Sequence, residues 1–384
     1  MEQAGRQARI FDYAAHLPLP LPSLSISGFR GIEQLNIGRL GRVTLLAGRN
    51  GIGKTTVLDA VRLFSERGHL SSLASVLTRS EEVAERIGPD DKRSDIVSCE
   101  ALFYGRMPVF GAAFSVGSSD QESQLRLELV ELDDIPPESA ERLRKLMADG
   151  PVLRATFRDF VGYLPALIDY DEQRFAFGSR WTSRRRFGES DWPTPLNYFS
   201  LGPGLLANWE LDRLWGDIAL TPSEPLALNA LQLASDLGVE GVAVVPGPSR
   251  YSSRRVVVKL ASGQRVPLKS LGDGATRLFS VAAALGSSTN GFLLIDEAEN
   301  GIHHSLQKEY WKFIIRTAAD NDVQVVATTH SWDCVSGFAN AARELDSAGA
   351  VLLRLERSRD EAIRAVEYAG DDLEVAVEQR IEVR

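Results

Sequence analysis

Residues 48–55, Gly48-Arg49-Asn50-Gly51-Ile52-Gly53-Lys54-Thr55, follow the pattern G-x-x-x-x-G-K-[ST], and few strings of eight residues restrict a fold so tightly. An apolar run, Val43 to Ala47, leads in as a buried strand, and a helix-forming stretch, Thr56 to Phe64, leads out. Glycines let the backbone curl so that successive N–H groups face a polyphosphate, while the helix N-terminus adds positive potential. In that arrangement Lys54 reaches the β- and γ-phosphates, the Thr55 hydroxyl takes one Mg²⁺ position, and Thr56 continues the cradle into the helix. The ligand this implies is a nucleoside triphosphate, ATP with Mg²⁺. A guanine-reading Asn-Lys-x-Asp string is absent, which disfavours GTP.

At 384 residues the chain can form one large or two ordinary domains around a substantial core. Its formal net charge of −9 argues against wholesale coating by nucleic acid and leaves a local basic face open. Cys99 and Cys334 lie far apart without metal-type spacing, as expected in a reducing compartment and not in a disulfide framework. No apolar stretch approaches the ~20 residues of a membrane helix. Met1 to Gly5 lacks the layout of a signal peptide, so the expectation is a soluble, cytoplasmic protein with no membrane partner.

Residues 1–22 read as an extended lead-in ending in Leu17-Pro18-Leu19-Pro20-Leu21-Pro22. Residues 23–132 read as the first half of the nucleotide-binding unit. They open with a strand pair around Gly28-Phe29-Arg30-Gly31, contain the phosphate loop, and continue as an antiparallel lobe. Ile96-Val97, Ala101–Tyr104, Ala112–Val116 and Leu125–Val130 are its expected strands. Residues 133–205 read as an insertion of uncertain structure with one helix, Pro137 to Ala148. Residues 206–384 read as the second half. Helices are expected near Ala207–Asp217, Ser223–Asp236 and Ala275–Leu285, the last closed by Gly286. A further amphipathic helix carries Leu306, Tyr310, Phe313, Ile314 and Thr317 on one face. Phe292–Ile295, Val323–Ala327 and Ala350–Leu353 are continuous apolar runs, the signature of parallel strands covered on both faces. A strand pair, Leu352–Glu356 with Ile363–Tyr368, and a helix, Asp371–Gln379, end the chain. The fold class is therefore α/β: a mixed, mostly parallel sheet flanked by helices, with an added antiparallel β subdomain and a helical insertion.

Polar motifs sit where apolar runs stop. Asp296 and Glu297 end the run Phe292–Ile295, placing one carboxylate for Mg²⁺ and a second to orient or deprotonate the attacking water. Thr328-Thr329-His330-Ser331 ends the next run, and His330 can donate a hydrogen bond to the γ-phosphate. Carboxyl ends of parallel strands share one crevice. Ser270-Leu271-Gly272-Asp273-Gly274 precedes a helix and forms a second anion-binding device. One triphosphate needs only one cradle in cis, so Ser270, Gly272 and Gly274 are best explained as caps on a γ-phosphate held by another subunit.

The order of phosphate loop, Ser-x-Gly-x-Gly helix, Asp-Glu pair and switch histidine resembles that of ABC-type ATPases. In detail the chain resembles the OLD-like (overcoming lysogenisation defect) ATPases of bacteria. The residues concerned are Ser27–Ile32, Ser270–Leu278, Ile295–His304 and Ala327–Ser331. The resemblance spans about 23–132 and 205–384. It implies that Ser270 and Gly272 contact ATP in trans, Asp296 holds Mg²⁺, Glu297 is the catalytic base, His330 the switch, and Arg30 a neighbour of the nucleotide. Ala298 stands where the family usually has proline. A Toprim nuclease domain follows in many members and is not expected before Arg384.

Two further clusters are weaker. Phe175, Phe177, Arg180, Trp181, Arg184, Arg185, Arg186 and Phe187 alternate basic and aromatic character as nucleic-acid-binding loops do, yet a solvated loop is the favoured reading. His303-His304 reads as a subunit-facing loop before a metal site. The leading functional expectation is an ATPase that closes as a head-to-tail dimer, or higher homo-oligomer, around two ATP–Mg²⁺. It would serve DNA transactions or defence against phage through a separately encoded nuclease or effector. The alternative is a nucleotide-dependent scaffold or regulator with slow hydrolysis.

Overall fold

The computed structural model describes residues 18–87, 93–145, 150–170, 192–234, 238–247 and 254–368. The basic-aromatic cluster 175–187, the helix expected at 371–379 and most of the lead-in 1–22 lie outside them. The chain opens with strands β1 (Leu24–Phe29), β2 (Ile32–Ile37) and β3 (Val43–Ala47), then helices α1 (Lys54–Ser65) and α2 (Leu70–Arg79). Next come β4 (Val83–Ile87), β5 (Arg93–Ser98), β6 (Ala113–Gly117), β7 (Gln124–Val130), α3 (Pro137–Arg144), β8 (Val152–Phe157), β9 (Phe160–Pro165), β10 (Leu167–Tyr170) and β11 (Tyr198–Leu201). A helical pair follows, α4 (Asn208–Ile218) and α5 (Glu224–Ala234), with β12 (Val239–Val245), β13 (Arg255–Leu260) and β14 (Arg265–Pro267) behind it. The remainder is α6 (Asp273–Ser287), β15 (Phe292–Ile295), α7 (Gln307–Asp320), β16 (Gln324–Thr329), α8 (Trp332–Glu344), β17 (Ala350–Arg357) and β18 (Ile363–Tyr368).

The central sheet has the order β11-β15-β16-β3-β17-β18, parallel throughout except for the antiparallel edge strand β18. Its inner strands β15, β16 and β3 are buried along their whole length because both faces are covered. Leu45, Leu293, Ile295, Val325 and Leu352 enter one core with helices α4 to α8. Their neighbours Leu46, Phe292, Leu294, Val326 and Leu353 enter the other, with α1, α2 and the antiparallel lobe. Alternation along a strand thus sends successive side chains into two different cores.

The antiparallel sheet runs β2-β1-β6-β7-β8-β9, so residues 152–165, expected within an insertion, extend the first lobe. Residues 198–201, also placed in that insertion, form β11 and pair in parallel with β15. Ala101–Tyr104 is not a strand. Ser98 caps a 3-10 turn over Cys99–Leu102 by accepting from the Glu100 N–H. The chain then bonds to the tip of β1 through Arg30 N–Leu102 O and Tyr104 N–Gly28 O. Gly286 lies inside α6 and does not close it. A side chain there would meet Ser223 Cβ at 2.7 Å, so its role is close approach to the α4–α5 corner.

Candidate active site

The phosphate loop links β3 to α1 and has the backbone that glycine permits. Gly48, Gly51 and Gly53 have φ of 146°, 75° and 105°. A Cβ on Gly48 would also lie 2.7 Å from the Leu355 carbonyl of β17, whereas nothing stands within 4 Å of Gly51. Gly51 borders open space; Gly48 is pinned against the sheet. Ile52 is buried and anchors the loop, leaving Arg49, Asn50 and Thr55 exposed. Lys54 is buried, and its Nζ donates to the carbonyls of Gly48 (2.6 Å) and Arg49 (3.0 Å). Burial pushes its pKa down from the ordinary lysine value, opposed by the carboxylates of Asp296, Glu299 and Glu297. An ammonium held at a glycine-rich loop on a helix N-terminus is suited to phosphate oxygens.

Asp296 leaves the carboxyl end of β15, and its carboxylate accepts from the Thr55 hydroxyl at 3.2 Å, 241 residues away in sequence. Thr328, at the end of β16, donates from its hydroxyl to Asp296 Oδ1 at 2.5 Å. That same hydroxyl accepts from the Glu297 N–H at 2.9 Å. Glu297 adopts φ of 49°, a left-handed conformation costly for a non-glycine residue, by roughly 1–2 kcal/mol. Its carboxylate is partly exposed and accepts from Asn300 Nδ2 at 2.7 Å. His330 follows β16. Its Nδ1 lies 3.2 Å from Glu299 Oε1 and 4.0 Å from Glu297 Oε1.

Phosphate loop, Asp296, Glu297 and His330 therefore meet at the carboxyl ends of β3, β15 and β16, three adjacent parallel strands. The Ser270–Gly274 segment is built differently from a simple turn. Ser270 belongs to a 3-10 turn over Leu268–Leu271, Gly272 caps α6 with φ of 96°, and Gly274 is already helical. Ser270 and Gly272 are exposed. A Cβ on Gly274 would come within 2.9 Å of the Gly301 carbonyl, so the helix start packs on the loop that follows Glu297. No hydrogen bond among the described residues links these three to the phosphate loop of the same chain.

Arg30, expected beside the nucleotide, spends its guanidinium inside the fold. It bonds Asp59 (3.0 Å), the Val76 carbonyl (3.2 Å) and Glu82 (3.3 Å). Three residues act here that the motifs alone do not single out. Thr328 holds both acids, Glu299 holds His330, and Arg277 of α6 bonds the carbonyls of Gly202 (2.6 Å) and Asp296 (3.1 Å). Only Glu299 carries a visible signal, a third acid two residues past Glu297.

Mg²⁺ takes hard oxygen ligands, usually one or two from protein with the rest from phosphate and water. Thr55 Oγ1 and the Asp296 carboxylate converge as such a pair, so the residues present fit the ion. No group of three or more His, Cys, Asp or Glu among the described residues is arranged to hold a metal. His303 instead caps the next turn, accepting from the Ser305 N–H, with its ring tilted 41° against that of His304.

A phosphate loop on a mostly parallel sheet, with acids at the end of a neighbouring strand, defines a P-loop nucleoside-triphosphate-binding fold. A family model described as "AAA domain, putative AbiEii toxin, Type IV TA system" matches residues 43–333, and the chain belongs to that family. It is 30% identical over 114 residues to an "ATP/GTP phosphatase" of Helicobacter pylori; the match covers 29% of this chain and 31% of that protein. The chain thus spans about a third of the length of that curated relative. Among solved structures it is similar to an SMC head bound to the C-winged helix domain of ScpA, at 13% identity and a TM-score of 0.49, covering 92% of this chain and 99% of that one. It is also similar to the SMC head domain from Thermotoga maritima, at 12% identity and a TM-score of 0.41, covering 90% and 98%. No helix among the described residues is long and apolar enough to cross a membrane.

Proposed function

We propose that the chain is an OLD-like ATPase that closes head to tail with a second copy of itself around two ATP–Mg²⁺. The observation that carries this reading is the meeting of Thr55 and Asp296 across 241 residues of sequence, with Glu297 and His330 on the same sheet edge. Lys54 would exchange the Gly48 and Arg49 carbonyls for the β- and γ-phosphates. Thr55 and Asp296 would hold Mg²⁺, which supplies charge neutralisation on the phosphate oxygens. Glu297 would take a proton from the water attacking the γ-phosphorus while the bond to the β,γ-bridging oxygen breaks. His330 would donate to a γ-phosphate oxygen. Ser270, Gly272 and Gly274, on the exposed start of α6, would cap the triphosphate of the partner.

The work coupled to closure is a DNA transaction or a defence effector. The family description, which names a toxin of a toxin–antitoxin system, favours a device restrained by a separately encoded partner. The test is the mass of the full chain carrying Glu297→Gln, by light scattering with ATP and Mg²⁺. Doubling of the mass on adding nucleotide, reversed by chelating Mg²⁺, is expected; a monomer indifferent to ATP would overturn the composite site.

A further inference from the structure

The two acids that follow Asp296 have different surroundings. Glu297 is 38% exposed and is held by Asn300. Glu299 is 11% exposed and is held by His330 twice: Oε1 accepts from the His330 backbone N–H at 2.9 Å and lies 3.2 Å from the ring Nδ1. Its approach is set by a short zipper between the two strand ends. Glu297 N donates to the Thr328 hydroxyl and Ala298 N to the Thr328 carbonyl, which lays residues 297–299 alongside 328–330. Glu299 Oε2 is buried and has no hydrogen-bond partner among the described residues. A buried carboxylate oxygen without a partner costs stability. Retaining one beside the crevice fits a residue kept for function.

We propose that Glu299 is the positioning residue for His330, fixing the orientation and tautomer of its ring. This rests on the reading of His330 as the γ-phosphate contact. A hydrogen bond to an ionised carboxylate requires the proton on Nδ1. Nε2 is then the ring nitrogen that serves the terminal phosphate, and it donates only when the ring carries both protons. Backbone capping alone would need only the His330 N–H. The second hold, on the ring, is what makes Glu299 more than a loop anchor. Division of labour follows: the more exposed Glu297 is left for water, and the more enclosed Glu299 for the histidine.

A double-mutant cycle on the full chain tests this, reading ATP turnover and thermal melting. Glu299→Gln is expected to lower kcat roughly tenfold with KM changed less than about twofold. Because the buried charge is removed, it should melt no lower than wild type. In a His330→Ala background the same substitution should have no further effect on turnover, because its route to the reaction is gone. Full persistence of the Glu299→Gln loss in that background, or wild-type turnover by Glu299→Gln while His330→Ala is slow, would overturn the positioning role alone. Wild-type turnover by His330→Ala would instead remove the γ-phosphate contact on which it rests. A measurement without variants guards against misfolding: nitrogen NMR of the His330 ring in the wild-type chain should show the proton on Nδ1, and a neutral ring protonated only on Nε2 would overturn the inference.

Discussion

Arg277 Nη2 donates to the main-chain carbonyl of Asp296 at 3.1 Å, so the helix that begins at the Ser270–Gly274 segment is bolted to the backbone at the carboxyl end of β15. The guanidinium is almost wholly buried. It also reaches the Glu297 carbonyl at 3.4 Å and, across the crevice, Gly202 and Gly204. Its partners are carbonyl oxygens from two loops, which makes it a strut between them. Replacement by methionine keeps the stem and strands those carbonyls. We expect Arg277→Met to lose about 3 kcal/mol in urea unfolding, and Arg277→Lys about half of that, since an ammonium cannot span the same set of acceptors. Equal stability of Arg277→Met and wild type would remove the strut.

Thr328 gives one hydroxyl to two acids, donating to Asp296 and accepting from the Glu297 N–H. Thr328→Val is nearly isosteric and removes both bonds, leaving a backbone N–H without its acceptor. The expected cost is about 1–3 kcal/mol of stability. Turnover should fall further than this modest loss accounts for, because the left-handed turn at Glu297 loses its tether. Hydrogen exchange at the Glu297 amide is the direct measure, expected to rise in the variant.

The parts of this site legible in sequence are those whose chemistry is local. The phosphate loop is a contiguous string, and each parallel strand is a short apolar run ending in a polar residue, so Lys54, Thr55, Asp296, Glu297 and His330 can be placed on one sheet edge without coordinates. Thr328, Glu299 and Arg277 act through partners 32, 31 and 75 residues away, and apart from the acid spacing at Glu299 nothing in their immediate neighbours sets them apart. The small sheet β12–β14 gives no comparable pattern: β12 is half exposed along its length. Ala101–Tyr104 has strand-forming residues, and a serine cap outweighs their propensity. Arg30 sits in a motif next to the phosphate loop, yet Asp59 on α1 and Glu82 claim its charge.

Gly272 and Gly274 separate two reasons for glycine. Gly272 has φ of 96° with open space where a Cβ would go, so Gly272→Ala should cost about 1–3 kcal/mol through backbone strain. Gly274 is helical, where alanine is favoured by propensity, and its obstacle is the Gly301 carbonyl at 2.9 Å. Gly274→Ala should therefore perturb the loop after Glu297, and its loss of turnover should exceed its loss of stability.

Lys308 and Lys312 of α7 both bond Glu344 at the end of α8, and together they lower its carboxyl pKa to about 2. A depressed carboxylate stabilises the fold above its unfolded value and loses that contribution as pH falls towards the folded one. The window here runs from the ordinary glutamate value, near 4.5, down to about 2. Melting curves of wild type and Glu344→Gln should differ at neutral pH and converge across that interval. A constant gap down to pH 2 would mean that the difference has another source.

Lys54 and Glu297 decide between a machine and a scaffold. Lys54→Ala removes the ammonium nearest the loop carbonyls and should abolish nucleotide binding, read with a fluorescent ATP analogue. Glu297→Gln keeps the loop and the Thr55–Asp296 pair intact. It should bind ATP as wild type does, with turnover lowered by roughly 100-fold or more. An ATPase whose work needs hydrolysis loses cellular function in both variants. A scaffold held together by bound nucleotide fails with Lys54→Ala and persists, or locks on, with Glu297→Gln. The strained backbone at Glu297 favours the first outcome, since a pure binder gains nothing from holding a glutamate in the left-handed region at the edge of its site.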